Sequence, residues 1–429
     1  MFKTGSEVIQ WIISRGYFGS CPGLERITEL LRLLGNPERT YPTIHVAGTN
    51  GKGSTTRYLA NLLRTNGLKI GTFNSPFIKD FAEQVEINGQ EIDSFNLVKL
   101  GNQIKPLVEQ MDRQKEFYGI TEFEILTGLA FSYFKGRVDI AIIEVGMGGL
   151  LDSTNVIEPE LTAITTIGLD HTAFLGDTIE KIAYQKAGII KKNTPLIVGN
   201  VSEDALNVIK TQAAKNDAPV YIWKRDYQTD YRGFVRQQFE KFNFHNREIQ
   251  LKNLETPLIG HQQVENAAVA LEMYYLYTQK HNLPFNKSKI VNGLLQTKWP
   301  ARMEIISLKP LVIMDGAHNP HAIKRLKENL LTDYQNYHVK ILFSAIVTKD
   351  IKLMLEELLQ IPNVEITMTT FDDERALKLE DFKAWQPRIK LNADWHEAYR
   401  KLKNELQPNE LLLIAGSLYF SSEVRSQIK

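Results

Sequence analysis

Ile44-His45-Val46-Ala47-Gly48-Thr49-Asn50-Gly51-Lys52-Gly53-Ser54-Thr55 opens as a short apolar strand and continues into a glycine-rich turn. A lysine and hydroxyls follow, and then a predicted helix beginning near Thr56. The three glycines allow turn geometry and close approach of the backbone to a ligand. Successive N–H groups with a helix N-terminus behind them form a cradle for phosphate oxygens. Lys52 adds a point charge, and the Ser54 hydroxyl is placed to meet a metal-bound phosphate. The spacing departs from the common phosphate loop GxxxxGK[ST], because Gly53 separates Lys52 from Ser54. An ordinary strand-to-helix turn accounts for the glycines but not for Lys52 and Ser54 together.

The strand–helix alternation around this loop predicts a doubly wound α/β domain. A helix is expected over residues 24–35, and a strand over Lys69–Phe73 closes in Asn74-Ser75-Pro76. Residues 77–92 read as a loop into a short hairpin turning at Asn88-Gly89. A periodic helix spans Thr121 to Gly136, with Thr121 and Glu124 in capping-box form. The apolar run 138–146 reads as a buried parallel strand ending in Glu144. A second such strand, Leu161–Ile167, leads to Gly168-Leu169-Asp170-His171. A helix over 178–188 carries Lys186, which its position alone marks as an ordinary surface charge. Strands near 195–199 and 219–223, an antiparallel hairpin within 233–251 and a helix over Gln262–Tyr277 complete this half. Gly48, Ser75, Glu144 and His171 all fall at strand ends, where ligands of such sheets gather.

Beyond Trp299-Pro300 the alternation restarts, with strands expected at 304–314, 338–346, 364–370 and 410–415. The expected architecture is therefore α/β throughout. A P-loop-type doubly wound N-terminal ATPase domain covers 1–298, and a smaller Rossmann-like α/β C-terminal domain covers 299–429. Two such domains meeting at a linker form a natural cleft.

Composition narrows the function. The chain has 429 residues, 43% hydrophobic and 24% charged, and a formal net charge of +1. That balance provides no field for nucleic acid or an anionic membrane. One cysteine, Cys21, excludes disulfides and cysteine-built metal sites within the chain. No segment has signal-peptide anatomy or the length of a membrane span, so a cytoplasmic protein is expected.

Glu144 at the mouth of an apolar strand needs a partner, and magnesium bridging to nucleotide phosphates is one. His171 lies at the next strand end, although magnesium prefers oxygen ligands. Asp315-Gly316-Ala317-His318-Asn319-Pro320 is compatible both with a hydrogen-bonded turn and with a ligand site. Arg302 is equally compatible with the surface and with phosphate contact.

Taken together, HVAGTNGKGST, FNSPFI, TEFEILTGLAF, EVGMGGLLDSTN, GLDHTAFLGDTIEKIAYQKAGI, GHQQVENAA, KWPARME, DGAHNP and AGSLYF resemble the folylpolyglutamate synthase and dihydrofolate synthase family, within the Mur ligase superfamily. The segments run in order from about residue 25 to about residue 420. The resemblance implies an ATP-binding Mur-ligase-like domain followed by a glutamate-ligase domain. It implies an ATP-dependent amide ligase that phosphorylates a folate or pteroate carboxylate and lets the glutamate amine displace phosphate. By the same resemblance Gly48, Thr49, Asn50, Gly51, Lys52, Gly53 and Ser54 hold the triphosphate, with Asn266, Arg302 and Asp315 also on ATP. Ser75, Glu144, His171 and Lys186 are implied ligands of magnesium, taken as two ions. Lys186 matches a lysine carbamylated by CO2. Lys186, Lys52 and His318 are the implied catalytic residues, and Thr121, Phe123 and Glu124 fall in the folate-binding segment. The implied partners are small molecules only, for a monomer. ATP closing the cleft between phosphates on the first domain and Asp315 and Arg302 on the second is part of this expectation.

The sequence departs from the family pattern at Phe77, Gln84, Leu150, Gln185 and Thr348, none of them a phosphate or metal position. A peptidoglycan ligase would need an N-terminal domain for which Gly48 comes too early. A nucleotide switch would not need DGAHNP or Lys186, and a silent binding protein would not need Lys52, Glu144, His171 and Lys186 together.

Overall fold

The computed structural model describes every residue except Ser20, Lys79, Gln237, Pro387 and Lys429. Lys79 and Gln237 fall within the two predicted hairpin stretches, 77–92 and 233–251, and lie outside the described residues. The chain forms two compact units. One comprises Met1–Asp230, Asn243–Leu254 and Glu265–Thr297, and the other Tyr231–Phe242, Glu255–Val264 and Lys298–Lys429.

The first unit is built on eight strands: β1 (Thr43–Ala47), β2 (Ile70–Phe73), β3 (Val85–Ile87), β4 (Gln90–Glu91), β5 (Ile140–Glu144), β6 (Leu161–Ile164), β7 (Leu196–Val198) and β8 (Val220–Ile222). Their order is β4-β3-β2-β5-β1-β6-β7-β8. β2, β5, β1, β6, β7 and β8 run parallel, while β3 and β4 add an antiparallel hairpin at one edge. β5 shows why these segments are strands. Ile140-Ala141-Ile142-Ile143 is rich in β-branched residues and buried on both faces, as parallel crossovers require. Phe73, Ala141 and Ile143 pack with the helices Ser94–Asp112 and Glu122–Phe134. Ala47, Ile164 and Val198 pack with Ile179–Ala187 and Glu203–Lys215. Each of the buried Phe, Ile and Val side chains contributes about 1.5–3 kcal/mol by leaving water.

β1 lies between β5 and β6, and the order of succession reverses there. A crevice at the carboxyl ends of strands forms at such a switch point. The phosphate loop leaves β1 at this position.

Several expectations are corrected. The helix after the loop spans Lys52–Arg64, so Lys52 and Ser54 stand in its first turn. Gly51, with φ of +87°, is its N-cap and lets the backbone enter the helix earlier than low-propensity Gly53 and Ser54 suggested. The β6 strand ends at Ile164, and Thr165 and Thr166 turn toward the loop. The helices Gly5–Ser14, Ser94–Asp112 and Lys287–Leu295 were not read from the sequence. The 233–251 hairpin is part of a three-stranded sheet of β9 (Tyr227–Val235), β10 (Phe239–Asn246) and β11 (Gln250–Thr256), in the order β11-β10-β9.

The second unit has its own six-stranded sheet. Its strands are β12 (Glu304–Leu308), β13 (Leu311–Met314), β14 (His338–Phe343), β15 (Glu365–Met368), β16 (Lys390–Leu391) and β17 (Glu410–Ala415), ordered β12-β13-β17-β14-β15-β16. The single strand expected over 304–314 is an antiparallel pair, because Pro310 breaks the run. The remaining pairs are parallel.

Candidate active site

The phosphate loop is held from β6. Thr49 N–H donates to the Thr166 carbonyl (2.8 Å) and Asn50 N–H to Thr166 Oγ1 (3.0 Å). Thr165 Oγ1 donates to the Asn50 carbonyl at 2.6 Å. Gly168 N–H donates to Thr49 Oγ1 at 3.0 Å. These bonds consume the outward groups of Thr49 and Asn50 and leave the helix N-terminus as the anion cradle. Gly48 and Gly51 have φ of +153° and +87°. A Cβ on Gly48 would strike Thr165 Oγ1, and one on Gly51 would strike the Asn266 carboxamide. Glycine is required at both by conformation and by space. Asn266, on the helix His261–Lys280, thereby stands directly behind the loop. Thr165 and Thr166 were missed in the sequence, although two hydroxyls after an apolar strand were a visible signal.

Two ammonium groups converge on one carbonyl. Lys52 Nζ donates to Gly48 O at 3.2 Å, and Lys186 Nζ donates to the same oxygen at 3.0 Å. Lys52 Nζ also lies 3.9 Å from Glu144 Oε1. Glu144 is 4% exposed and Lys186 is 4% exposed. The surface reading of Lys186 is therefore overturned, because its helix turns this residue inward beneath the loop. Burial, reinforced by the Lys52 charge, lowers the Lys186 pKa from 10.5 to about 7; Asp170 and Asp152 act in the opposite direction. An amine so tuned is substantially neutral at physiological pH.

Ser75 follows β2, beside the end of β5, since Phe73 pairs with Ile143. Ser75 is half-buried. Glu144 and Ser75 present a carboxylate and a hydroxyl, the oxygen donors magnesium prefers. His171 lies past β6 with its side chain 46% exposed and Nε2 3.9 Å from Asp170 Oδ1. Its imidazole fits magnesium less well than these oxygens. Among the described residues no three His, Cys, Asp or Glu side chains form a cluster able to hold a metal. That donor set suits a metal carried largely by phosphates, with one carboxylate from protein.

Thr121 and Glu124 are engaged locally. Thr121 N–H and Oγ1 both donate to Glu124 Oε2 at 2.8 Å, and Glu124 N–H returns a bond to Thr121 Oγ1. Arg26 pairs with the same carboxylate at 3.1 Å. Phe123 stacks on Phe73, with centroids 5.7 Å apart and planes at 21°. The cap therefore aims Phe123, and the polar side chains on either side serve the helix start.

Arg302, Asp315 and His318 belong to the second unit. Asp315 is buried and accepts from Met303 N–H and Ala317 N–H, both at 2.8 Å. Burial raises its pKa, and the neighbouring Arg302 charge works against that rise. His318 Nδ1 lies 2.8 Å from the Gly316 carbonyl, so Nδ1 carries the proton. Asn319 caps the helix Pro320–Asp333 by accepting from Ala322 N–H. The DGAHNP turn is thus both hydrogen-bonded and polar toward its surroundings.

The Mur ligase middle domain matches residues 46–274 and the Mur ligase glutamate ligase domain matches residues 301–418. The chain is 37% identical to the dihydrofolate synthase/folylpolyglutamate synthase of Bacillus subtilis, over 100% of both chains. It is 34% identical to the folylpolyglutamate synthase of Lacticaseibacillus casei, over 99% of this chain and 98% of that one. The structure of Mycobacterium tuberculosis folylpolyglutamate synthase complexed with ADP superposes with a TM-score of 0.89 at 27% identity, covering 98% of this chain and 97% of that chain. Phosphate cradle, paired lysines, full-length identity and shared fold agree: the chain belongs to the folylpolyglutamate synthase/dihydrofolate synthase family of the Mur ligases.

Proposed function

We propose that this protein is an ATP-dependent ligase that joins L-glutamate to a folate carboxylate, releasing ADP and phosphate, and that it also accepts dihydropteroate. The observation that carries this reading is the meeting of Lys52, Lys186 and Glu144 around Gly48, at the sheet's switch point. A carboxylate is a poor electrophile. Transfer of the γ-phosphoryl group to its oxygen creates a leaving group, and attack by the glutamate amine on the acyl carbon expels phosphate.

The chain's own groups have distinct tasks in this scheme. Within the Gly48–Ser54 loop, the N-terminus of helix Lys52–Arg64 binds the phosphates, and Lys52 offsets charge that grows on the transferred group. Asn266, Arg302 and Asp315 are the further side chains we assign to the nucleotide. His318, protonated on Nδ1, leaves Nε2 as an acceptor for a proton from the incoming amine. Phe123 with the Thr121–Glu124 cap contributes to folate binding. Glu144 and Ser75, with His171, would hold magnesium. When bound, magnesium supplies the positive charge that lets two anions approach. Neutral Lys186 Nζ can attack CO2, lose a proton and become a carbamate anion, which turns a buried amine into an anionic oxygen donor. We assign the protein to the cytoplasm as a monomer; among the described residues no helix is long and apolar enough to cross a membrane.

Incubation with ATP, magnesium, isotopically labelled glutamate and either tetrahydrofolate or dihydropteroate, followed by mass analysis, tests the reading. A product heavier by one glutamyl residue with each acceptor is expected. ATP turnover that continues without glutamate and without a pterin would overturn it.

A further inference from the structure

His45 sits in the middle of β1 and is completely buried. A polar ring there is destabilising by about 1–3 kcal/mol unless it is hydrogen-bonded. Its Nε2 stands 2.9 Å from Thr154 Oγ1. Thr154 Oγ1 donates to Asp152 Oδ1. A hydroxyl has one proton, so Thr154, having given its proton to Asp152, must accept from His45. The imidazole therefore carries its hydrogen on Nε2. Nδ1 has no hydrogen-bond partner among the described residues. Burial lowers the ring's pKa to about 3, so the neutral form persists at every working pH.

Asp152 is also the knot of the loop that follows β5. It accepts from Met147 N–H at 2.8 Å and from Thr154 N–H at 3.0 Å. The same loop grips the end of the Lys186 helix. Leu150 N–H donates to the Gln185 carbonyl at 2.7 Å. Asn155 Nδ2 donates to the Gly188 carbonyl at 3.1 Å and to the Leu150 carbonyl at 3.0 Å. A Cβ on Gly188 would collide with Leu150, so the two segments are in direct contact. Lys186 is thus tied twice to β1 and the loop that leaves it. One tie is direct, from Nζ to Gly48 O. The other runs through Gln185 and Gly188, the loop, Asp152 and Thr154 to His45, three residues before Gly48. None of these three side chains has a chemical task in the ligation scheme.

We propose that His45 is a positioning residue that, through Thr154 and Asp152, fixes the loop after β5 and so sets where Lys186 meets the phosphate loop. The catalytic consequence rests on the ligase reading above; the mechanical linkage does not. A donor on the central strand is matched to an acceptor hydroxyl, and that hydroxyl is oriented by a buried carboxylate. Among the described residues, backbone bonds tie only the two ends of this segment to β1, from Val145 N–H to the Val46 carbonyl (3.0 Å) and from Glu160 N–H to the Thr43 carbonyl (2.8 Å), and the His45–Thr154 bond holds the stretch between them. Losing the link would let the Lys186 helix end shift by a fraction of an ångström without emptying the core.

Thr154→Val tests this at constant shape, and Thr154→Ser restores the hydroxyl. In Thr154→Val, amide exchange over 146–155 and 185–190 should accelerate by roughly tenfold or more, while exchange in β7 and β8 stays as in the wild type. Turnover should fall at least about tenfold, because misplacing a reacting group by an ångström or less has effects of that order. The dissociation constant of a non-hydrolysable ATP analogue should stay within about twofold, since the cradle is built from other groups. Thr154→Ser should recover both exchange and turnover. If Thr154→Val does not fold, the pair His45→Asn and His45→Gln reads the same link, because only the longer amide reaches the Nε2 position. Unchanged exchange in these two segments would overturn the linkage. Faster exchange with full turnover would overturn the positioning role. A wild-type protein that fails to ligate glutamate would remove the function reading alone, and the exchange data would still decide the linkage.

Discussion

Replacing Lys186 should move activity and stability in opposite directions. Its side chain is buried, and burial with the Lys52 charge lowers its pKa from 10.5 to about 7. A base whose folded pKa lies below its unfolded value favours unfolding wherever the unfolded chain binds the extra proton. The penalty is complete below about pH 7, shrinks as pH rises and is gone above about 10.5. At about 1.4 kcal/mol per pH unit, that interval corresponds to roughly 5 kcal/mol. Lys186→Met removes the penalty at similar volume. It also removes the 3.0 Å bond to the Gly48 carbonyl. A bond of that charged type contributes about 1.5–3 kcal/mol. The variant should therefore be more stable than wild type by about 2–3 kcal/mol near pH 6.5, with the gain vanishing or reversing near pH 10. Ligation should be abolished while the ATP analogue still binds. Urea unfolding of both proteins in bicarbonate-free buffer at several pH values measures the difference. A stability difference that is flat with pH, or a variant less stable at the acid end, would refute the reasoning.

Glu144→Ala should abolish the magnesium dependence of turnover and reduce turnover by roughly 100-fold or more; a magnesium titration identical to wild type removes Glu144 from the site. Gly51→Ala forces a Cβ into the Asn266 carboxamide at a φ of +87°. It should cost about 1–2 kcal/mol from the backbone alone and weaken nucleotide binding about tenfold, which calorimetric titration with an ATP analogue would reveal. Thr121→Ala breaks the capping box and should lower stability by about 1 kcal/mol, read from the unfolding midpoint, with a smaller loss in Thr121→Ser.

The legible parts of the site were those whose chemistry is local. Gly51 and Lys52 announce a phosphate cradle because a left-handed turn and a cation before a helix need few other residues to explain them. Thr121 and Glu124 announce a helix start, since a capping box closes within one turn, and the structure contains it. Glu144 is visible because a charge ending an isoleucine run must be accounted for. Lys186 was not legible on physical grounds. A lysine in an amphipathic nine-residue helix is ordinarily a surface residue, and only the packing of that helix under the loop buries it. The resemblance to the family singled it out where spacing did not. Ser94–Asp112 escaped notice because Pro106 interrupts the pattern, yet the helix tolerates it within the packed layer.

Sequence alone determined the α/β alternation, the phosphate loop, the family and the order of candidate ligands along the chain. The alternation and the loop depend on period, turn chemistry and residue type, all of which act over a few neighbours, while the family and the ligand order rest on the resemblance of segments spread along the chain. Tertiary structure decided the rest. It set β1 between β5 and β6, and so gathered Gly48, Glu144 and Thr165 from stretches far apart in the chain. It placed Tyr231–Phe242 and Glu255–Val264 with the C-terminal residues, so the chain passes between the two units at five points where a reading by period saw one boundary. It also turned Lys186 and His45 from unremarkable letters into a buried base and a buried donor. Their pKa values and their partners come from burial and from residues more than a hundred positions away, which no local pattern encodes.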